Sequence, residues 1–180
     1  MVLSSLFEIA ESIFLKVMLN VLSGERRIRF LRWHGLKIGA GCEIHATEFS
    51  TEPFLIEIGD HVSIAPGTMF ITHDGSVRII RDTNPEADLF GKIIVGSHTF
   101  IGSRCILLPN TTIGEGCIIG AGSVVRGVIP DHSVAYGNPA RVVMKTNILK
   151  TTIKYHKHTL NTKSLGKKEK IKVVRDHFGV

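Results

Sequence analysis

The 180-residue chain is poor in several things at once: 3 cysteines, 1 tryptophan, 2 tyrosines and 6 prolines. Three thiols cannot make a disulfide framework, so the sequence predicts a reducing compartment, the cytoplasm. So few Trp and Tyr residues rule out a core built on large aromatic rings. No run of about 18 apolar residues lacks charge, so no membrane span is predicted. A cleaved leader is not expected either, because the start has no basic stretch and Glu8 and Glu11 interrupt its apolar run. Charged residues make up 21% and hydrophobic ones 43%, with a mean hydropathy of +0.18, which is not a disordered composition. Glycine is plentiful, at 18 residues, and implies a chain that turns often.

The net charge of +6 is unevenly placed. From Lys145 to Val180 there are ten basic and two acidic residues, so the preceding body is slightly acidic and no nucleic-acid binding is predicted. The stretch 6–22 (LFEIAESIFLKVMLNVL) reads as a helix with a narrow polar stripe of Glu8, Ser12, Lys16 and Asn20. Gly24 is its expected stop, followed by Arg26, Arg27, Arg29 and Arg32. The apolar remainder of that helix has two uses. It packs on the rest of the protein or on another subunit, or it lies on the inner face of a membrane with the arginines near lipid phosphates.

From residue 95 the chain is periodic. Val95, Ile101, Leu107, Ile113, Ile119 and Val125 stand six apart, and Gly96, Gly102, Gly114 and Gly120 follow four of them. Four residues after the first five stands a small side chain: Thr99, Cys105, Thr111, Cys117 or Ser123. A turn every six residues makes a coil with three flat sides, its aliphatic residues inward and its small residues inward near the corners. The same register begins at Ile38 and Ile44 and resumes at Ile58, Ile64 and Phe70. Between Ile44 and Ile58 it carries two extra residues, so a small bulge is expected. Between Phe70 and Val95 it breaks, and polar Gly75 to Phe90 should protrude as a loop. The register frays past Pro130, and Asn138-Pro139 is the expected end of the coil. Three segments follow: an N-terminal helical segment 1–35, a coil 36–145 with a protruding loop 75–91, and a basic tail 146–180, read as poorly ordered or weakly helical.

These hexads, with IGAGSVV (Ile119 to Val125), IPDHSVAYGNPARVV (Ile129 to Val143) and ITHDG (Ile71 to Gly75), resemble the hexapeptide-repeat acyltransferases. In pattern they are most similar to the maltose, galactoside and capsule or O-antigen sugar O-acetyltransferases. The resemblance implies an all-β fold, a left-handed parallel β-helix, in a homotrimer with active sites between neighbouring subunits. It implies acetyl-CoA as co-substrate, a sugar hydroxyl as acceptor, a role in surface polysaccharide synthesis, and no metal. Its chemistry is direct attack. A base takes the hydroxyl proton, a donor stabilises the oxyanion, and both substrates are held in reach.

Nine histidines give no single one a claim by composition. The resemblance selects His73 as the base, and an imidazole, with an ordinary pKa of about 6.5, suits that role. Asp74 would orient the ring or contact the sugar, and is otherwise a turn residue before Gly75. Gly102 and Ser103 would offer a backbone N–H near the thioester carbonyl. Ala121, Gly122 and Ser123 would line the pantetheine arm. Asn138, Pro139, Ala140 and Arg141 match the stretch near the nucleotide end, with Arg141, Lys145 and Arg126 available to CoA phosphates. Cys42, Cys105 and Cys117 fall at inward positions, which argues against a thiol nucleophile.

Four positions depart from the family's pattern. Phe100 replaces a Trp, and Gly127 replaces a Lys, so that either Arg126 substitutes or the contact is absent. His45 stands where sugar acetyltransferases carry an active-site Asn, so either the acceptor differs from theirs or His45 contacts it directly. The family's N-terminal acceptor domain is replaced by the apolar helix. The alternatives are N-acetylation of an amino sugar, a metal-dependent hydratase on the same coil, and a non-catalytic binding module.

Overall fold

The structure, a computed structural model, describes residues 13–180. The earlier part of the expected helix, with Glu8 and Ser12, lies outside the described residues. Helix α1 covers 13–21. Gly24 (φ +53°) does turn the chain, but a second helix, α2 (Gly24–Trp33), begins there. Leu15 and Leu19 of α1 and Ile28 and Leu31 of α2 enter the core together with Leu36 and Ile44. The two helices thus cover the open end of the coil.

The arginines after α1 lie on α2, and two of them serve packing. Arg27 donates to the carbonyls of Leu19, Leu22 and Ile44, where the end of α1 leaves carbonyls without helical partners. Arg32 donates to the carbonyls of Ile38 and Gly39 at 2.9 and 2.7 Å. Ile13, Phe14, Val17, Val21 and Trp33 remain exposed.

The coil follows. Face 1 stacks β1 (Lys37–Ile38), β4 (Ile56–Ile58), β7 (Ile93–Val95), β10 (Thr111–Ile113) and β13 (Val128–Ile129). Face 2 stacks β2 (Glu43–Ile44), β5 (Ser63–Ile64), β8 (Phe100–Ile101), β11 (Ile118–Ile119) and β14 (Ser133–Gly137), with β15 (Ala140–Lys145) at its edge. Face 3 stacks β3 (Glu48–Phe49), β6 (Met69–Phe70), β9 (Ile106–Leu107) and β12 (Val124–Val125). All neighbours pair in parallel except β14 and β15, which form an antiparallel hairpin. This is the left-handed β-helix.

The six-residue pacing explains the stacking. Ile101 pairs with Ile119 and Leu107 with Val125, so a residue meets its counterpart three hexads on. Ile101, Leu107, Ile119 and Val125 are fully buried along the axis. Thr99, Cys105, Thr111, Cys117 and Ser123 are buried too, and each spends its polar atom on a backbone carbonyl near a corner. The satisfied donor is what makes a polar residue tolerable there.

The last parallel strand of the coil, β14, ends at Gly137, directly before the expected end at Asn138-Pro139. The last turn is shorter, since Ile113 pairs with Ile129, yet β14 still joins face 2 by pairing with β11. Asn138-Pro139 is the tip of the terminal hairpin, which gives the edge of face 2 an antiparallel partner. Residues Asn147–Val180 form a separate compact unit. It was expected to be poorly ordered or weakly helical, and it carries two defined helices, α3 (Thr146–Lys154) and α4 (Lys167–Phe178), with no buried residues. Lysine, the commonest residue of this tail, is a good helix former, and Gly179 (φ +69°) ends α4.

Stacking leaves no room for a side chain at Gly96, Gly102 and Gly114. A Cβ on Gly96 would lie 2.5 Å from the carbonyl carbon of Gly114. Gly96→Ala is expected to lower unfolding stability by about 1–3 kcal/mol, read from the denaturant midpoint; an unchanged midpoint would contradict this spacing of the rungs.

Candidate active site

His73 lies three residues beyond β6, at the corner where face 3 gives way to face 1. The polar loop starts here. Asp74 caps its first turn, a 3-10 segment Gly75–Ile80, by accepting from the Ser76 N–H at 2.9 Å. The loop returns beside its own start, with His73 bridging Phe90 and Gly91 N–H donating to the Thr72 carbonyl at 2.8 Å. It is less polar than its sequence suggested, for Ile79, Ile80, Leu89 and Phe90 are exposed on it.

The His73 ring is half exposed, and its Nδ1 lies 3.1 Å from Oε2 of Glu52. Glu52 comes from the two-residue bulge between Ile44 and Ile58. The extra residues bring the chain over the corner just before the 3-10 turn Pro53–Leu55. Thr72 holds the same carboxylate oxygen at 2.6 Å, and Thr51 holds the other at 2.5 Å. Burial pushes the Glu52 carboxyl up, but the hydrogen bonds from Thr51, Thr72 and His73 outweigh it, so Glu52 titrates below its ordinary range. A carboxylate only accepts, so the ring hydrogen sits on Nδ1 and the Nε2 lone pair is left for a reacting group. Ser50 Oγ lies 3.3 Å from Nδ1 and fixes the same edge of the ring.

Cavities open on both sides of His73. One, of about 300 Å³, lies toward α1 and face 3 and is lined by Lys16, Glu48, Phe49 and Met69. The other, of about 340 Å³, lies beneath the loop.

The candidates read from sequence divide between corners. At the His73 corner stand Asp74 and Arg126, whose groups are 3.6 Å apart. The Ser76 N–H, with Arg126 beside it, holds the Asp74 carboxyl below its ordinary range. Arg126 therefore anchors the loop base within its own subunit. At the corner between faces 2 and 3 stand His45, Gly102, Ser103, Ala121 and Gly122. An open depression of about 610 Å³ there is lined by Pro66, Ser103, Arg104, Ala121 and Gly122. The hairpin tip, Asn138 and Pro139, reaches the same corner, where Gly137 N–H donates to Ser123 Oγ at 3.2 Å. Exposed Arg141 is near that tip, while Ala140 is buried. One side of the coil separates the two corners, six residues or up to about 20 Å.

Three expectations are corrected. Gly102 N–H donates to the Ile119 carbonyl at 2.8 Å, so the ladder consumes it and it cannot serve a thioester. Ser123 is fully buried and turned into the coil, so it does not line a groove. The Lys145 ammonium meets the Asp131 carbonyl at 3.2 Å, at the far end of the hairpin and on a third corner. Cys42, Cys105 and Cys117 all have thiols pushed up by burial, which makes them poor nucleophiles.

Glu52 was not anticipated, nor were Ser50, Thr72 and Arg104. For Glu52 the signal existed: the bulge was visible in the spacing of Ile44 and Ile58, and the residue it carries is a carboxylate.

The fold and this His-carboxylate corner define a transferase of the hexad-coil class. Residues 92–127 match the sequence profile of the bacterial transferase hexapeptide (six repeats) family. Protein CapG of Staphylococcus aureus is 40% identical over 146 residues, covering 79% of this chain and 83% of CapG. The solved maltose O-acetyltransferase of Clostridium difficile 630 shares 29% identity at a TM-score of 0.52, over 76% of this chain and 84% of its own. A galactoside acetyltransferase in complex with coenzyme A shares the fold at a TM-score of 0.56 and 20% identity, over 79% and 82% of the two chains. The chain belongs to the hexapeptide-repeat acetyltransferases.

Glu52 has a pH consequence. Its folded pKa is depressed below the ordinary 4.5, so the stability it contributes is present above that value and lost as pH falls through the folded one. Glu52→Gln should therefore destabilise at pH 7 and converge with the wild type once the pH has fallen below the depressed folded value, measured as thermal midpoints on acidification; parallel curves would contradict it.

Proposed function

We propose that this acetyltransferase moves the acetyl group of acetyl-CoA to a sugar hydroxyl in surface polysaccharide synthesis, with His73 as the general base. One observation carries the reading: the His73–Glu52 pair, with Nδ1 engaged and the ring lining a cavity on the coil surface. The similarity to a maltose O-acetyltransferase supports the acceptor class, and the coenzyme A complex of a protein with this fold supports the donor.

The proton of the acceptor hydroxyl passes to His73 Nε2 as its oxygen attacks the thioester carbonyl. The tetrahedral intermediate collapses, the carbon–sulfur bond breaks, and the imidazolium returns its proton to the departing thiolate. Glu52 stabilises the imidazolium between these steps and holds the tautomer.

A second copy completes the site. His73 lies on one corner, and the depression formed by Ser103, Ala121 and Gly122 lies on the next. A homotrimer in which one subunit's His73 corner faces its neighbour's Ser103 corner would bring base and donor groove together. With Gly102 excluded, the Ser103 N–H is the proposed oxyanion donor at that corner. Asn138, Pro139 and Arg141 would lie toward the nucleotide end, and His45, on the same corner, would contact the acceptor from across the interface. The protein works in the cytoplasm in this proposal, with the exposed apolar stripe of α1 and Trp33 available to a neighbouring subunit or to the inner membrane surface.

His73→Ala should lower kcat by about 10²–10⁴-fold while leaving acetyl-CoA affinity within about twofold. Glu52→Gln should lower kcat by on the order of 10²-fold with little change in the KM for acetyl-CoA. Steady-state release of free CoA measures both. Unchanged turnover in His73→Ala would remove it as the base, and turnover of amine acceptors alone would replace the hydroxyl acceptor by an amino sugar.

A further inference from the structure

The cavity beneath the loop holds more charge than proton transfer requires. Its lining contains three carboxylates, two arginines and His73, with Val77 and Phe90 among its apolar walls. Nearly every charge is already matched. Glu52 is taken by His73, Thr72 and Thr51. Asp74 is taken by the Ser76 N–H and Arg126. Asp88 and Arg81 pair with each other at 2.7 Å, and Arg81 also donates to the Ala87 carbonyl. Arg78 is left. Among the described residues its guanidinium has no hydrogen-bond or ion-pair partner, though it lines the same cavity as His73.

We propose that this cavity is the acceptor site and that Arg78 binds an anionic oxygen group, a phosphate or a carboxylate, carried by the acceptor sugar. The proposal rests on the acetyl-transfer reading for its acceptor and goes beyond it by giving that acceptor a charge. A guanidinium presents a planar fork of donors that matches two oxygens of either anion. The neighbouring carboxylates do not repel such a group as bare charges, because each is already held by a cation or by several donors. A volume of about 340 Å³ is at the lower end for ligand cavities, roughly 300–1,000 Å³. It suits one sugar residue bearing one small anion. The apolar wall of Val77 and Phe90 faces the less polar side of a sugar ring, and His73 lies within the same space to meet a hydroxyl. Arg78 is exposed at the cavity's edge, so an anion on the acceptor would meet it there in place of water.

The test is calorimetry on the full chain with glucose, glucose 1-phosphate and glucuronate, repeated for Arg78→Ala and Arg78→Lys. At least one anionic sugar should bind about 10- to 100-fold more tightly than glucose. Arg78→Ala should bring it to the glucose level, and Arg78→Lys should recover part of the difference. Acetyl-CoA affinity should stay unchanged in both variants, since the proposed coenzyme groove is lined by Ser103, Ala121 and Gly122 and not by Arg78. Preference for the phosphate or for the carboxylate tells the two sources apart. Equal binding of neutral and anionic sugars, or no binding of any, overturns the proposal. So does an anion preference that survives Arg78→Ala, or a loss in acetyl-CoA affinity in its place. Failure of the catalytic reading looks different: anion binding that depends on Arg78 would persist while His73→Ala leaves turnover intact.

Discussion

Everything in this protein depends on one constraint, the burial of an aliphatic side chain every sixth residue along an axis only one side chain wide. Ile101, Leu107, Ile119 and Val125 occupy that axis with no exposed surface. The corners must then be tight, and the residues near them must be small and hydrogen-bonded inward, as Thr99, Cys105 and Thr111 are. A coil fixed this way presents three flat faces and three sharp corners. The corners are where chemistry can be placed, because only there does the backbone turn outward without breaking the ladder.

The functional groups sit where the six-residue pacing fails. Two extra residues after Ile44 carry Glu52 to the His73 corner, and the long insertion after Phe70 begins with His73 itself and builds the cavity floor and roof. A perfectly periodic chain would have neither the proposed base nor its carboxylate partner. Periodicity provides the rigid frame that holds Nδ1 and Oε2 at 3.1 Å, and the interruptions provide the reacting groups. The ion pair of Asp74 and Arg126 ties the insertion back to the coil two turns further on.

Much of this was legible beforehand. The hexads identify the inward residues from Val95 to Val125 because a period of six belongs to no helix or simple strand. The ITHDG segment selects His73 by resemblance. What was not legible depends on which atoms the ladder consumes. Gly102 and Ser123 fit a ligand groove by type, but the N–H of one and the hydroxyl of the other are spent within the coil. Lys145 is close in sequence to Arg141, yet an antiparallel hairpin carries it to another corner. Arg27 reads as a surface charge in a basic run, and only the meeting of α1, α2 and the first turn shows why it turns inward. Contacts distant in sequence decide each case.

The division of the site between two corners, one on each of two copies, is the claim from which the chemistry follows. It is tested by co-expressing two inactive subunits, His73→Ala and Ala121→Trp, so that they assemble together. Each variant alone has no complete site. A composite site predicts recovered acetyl transfer, on the order of a quarter of the wild-type rate per subunit for random mixing in a ring of three. Activity no higher than that of the separate variants would show that base and donor groove belong to one and the same chain.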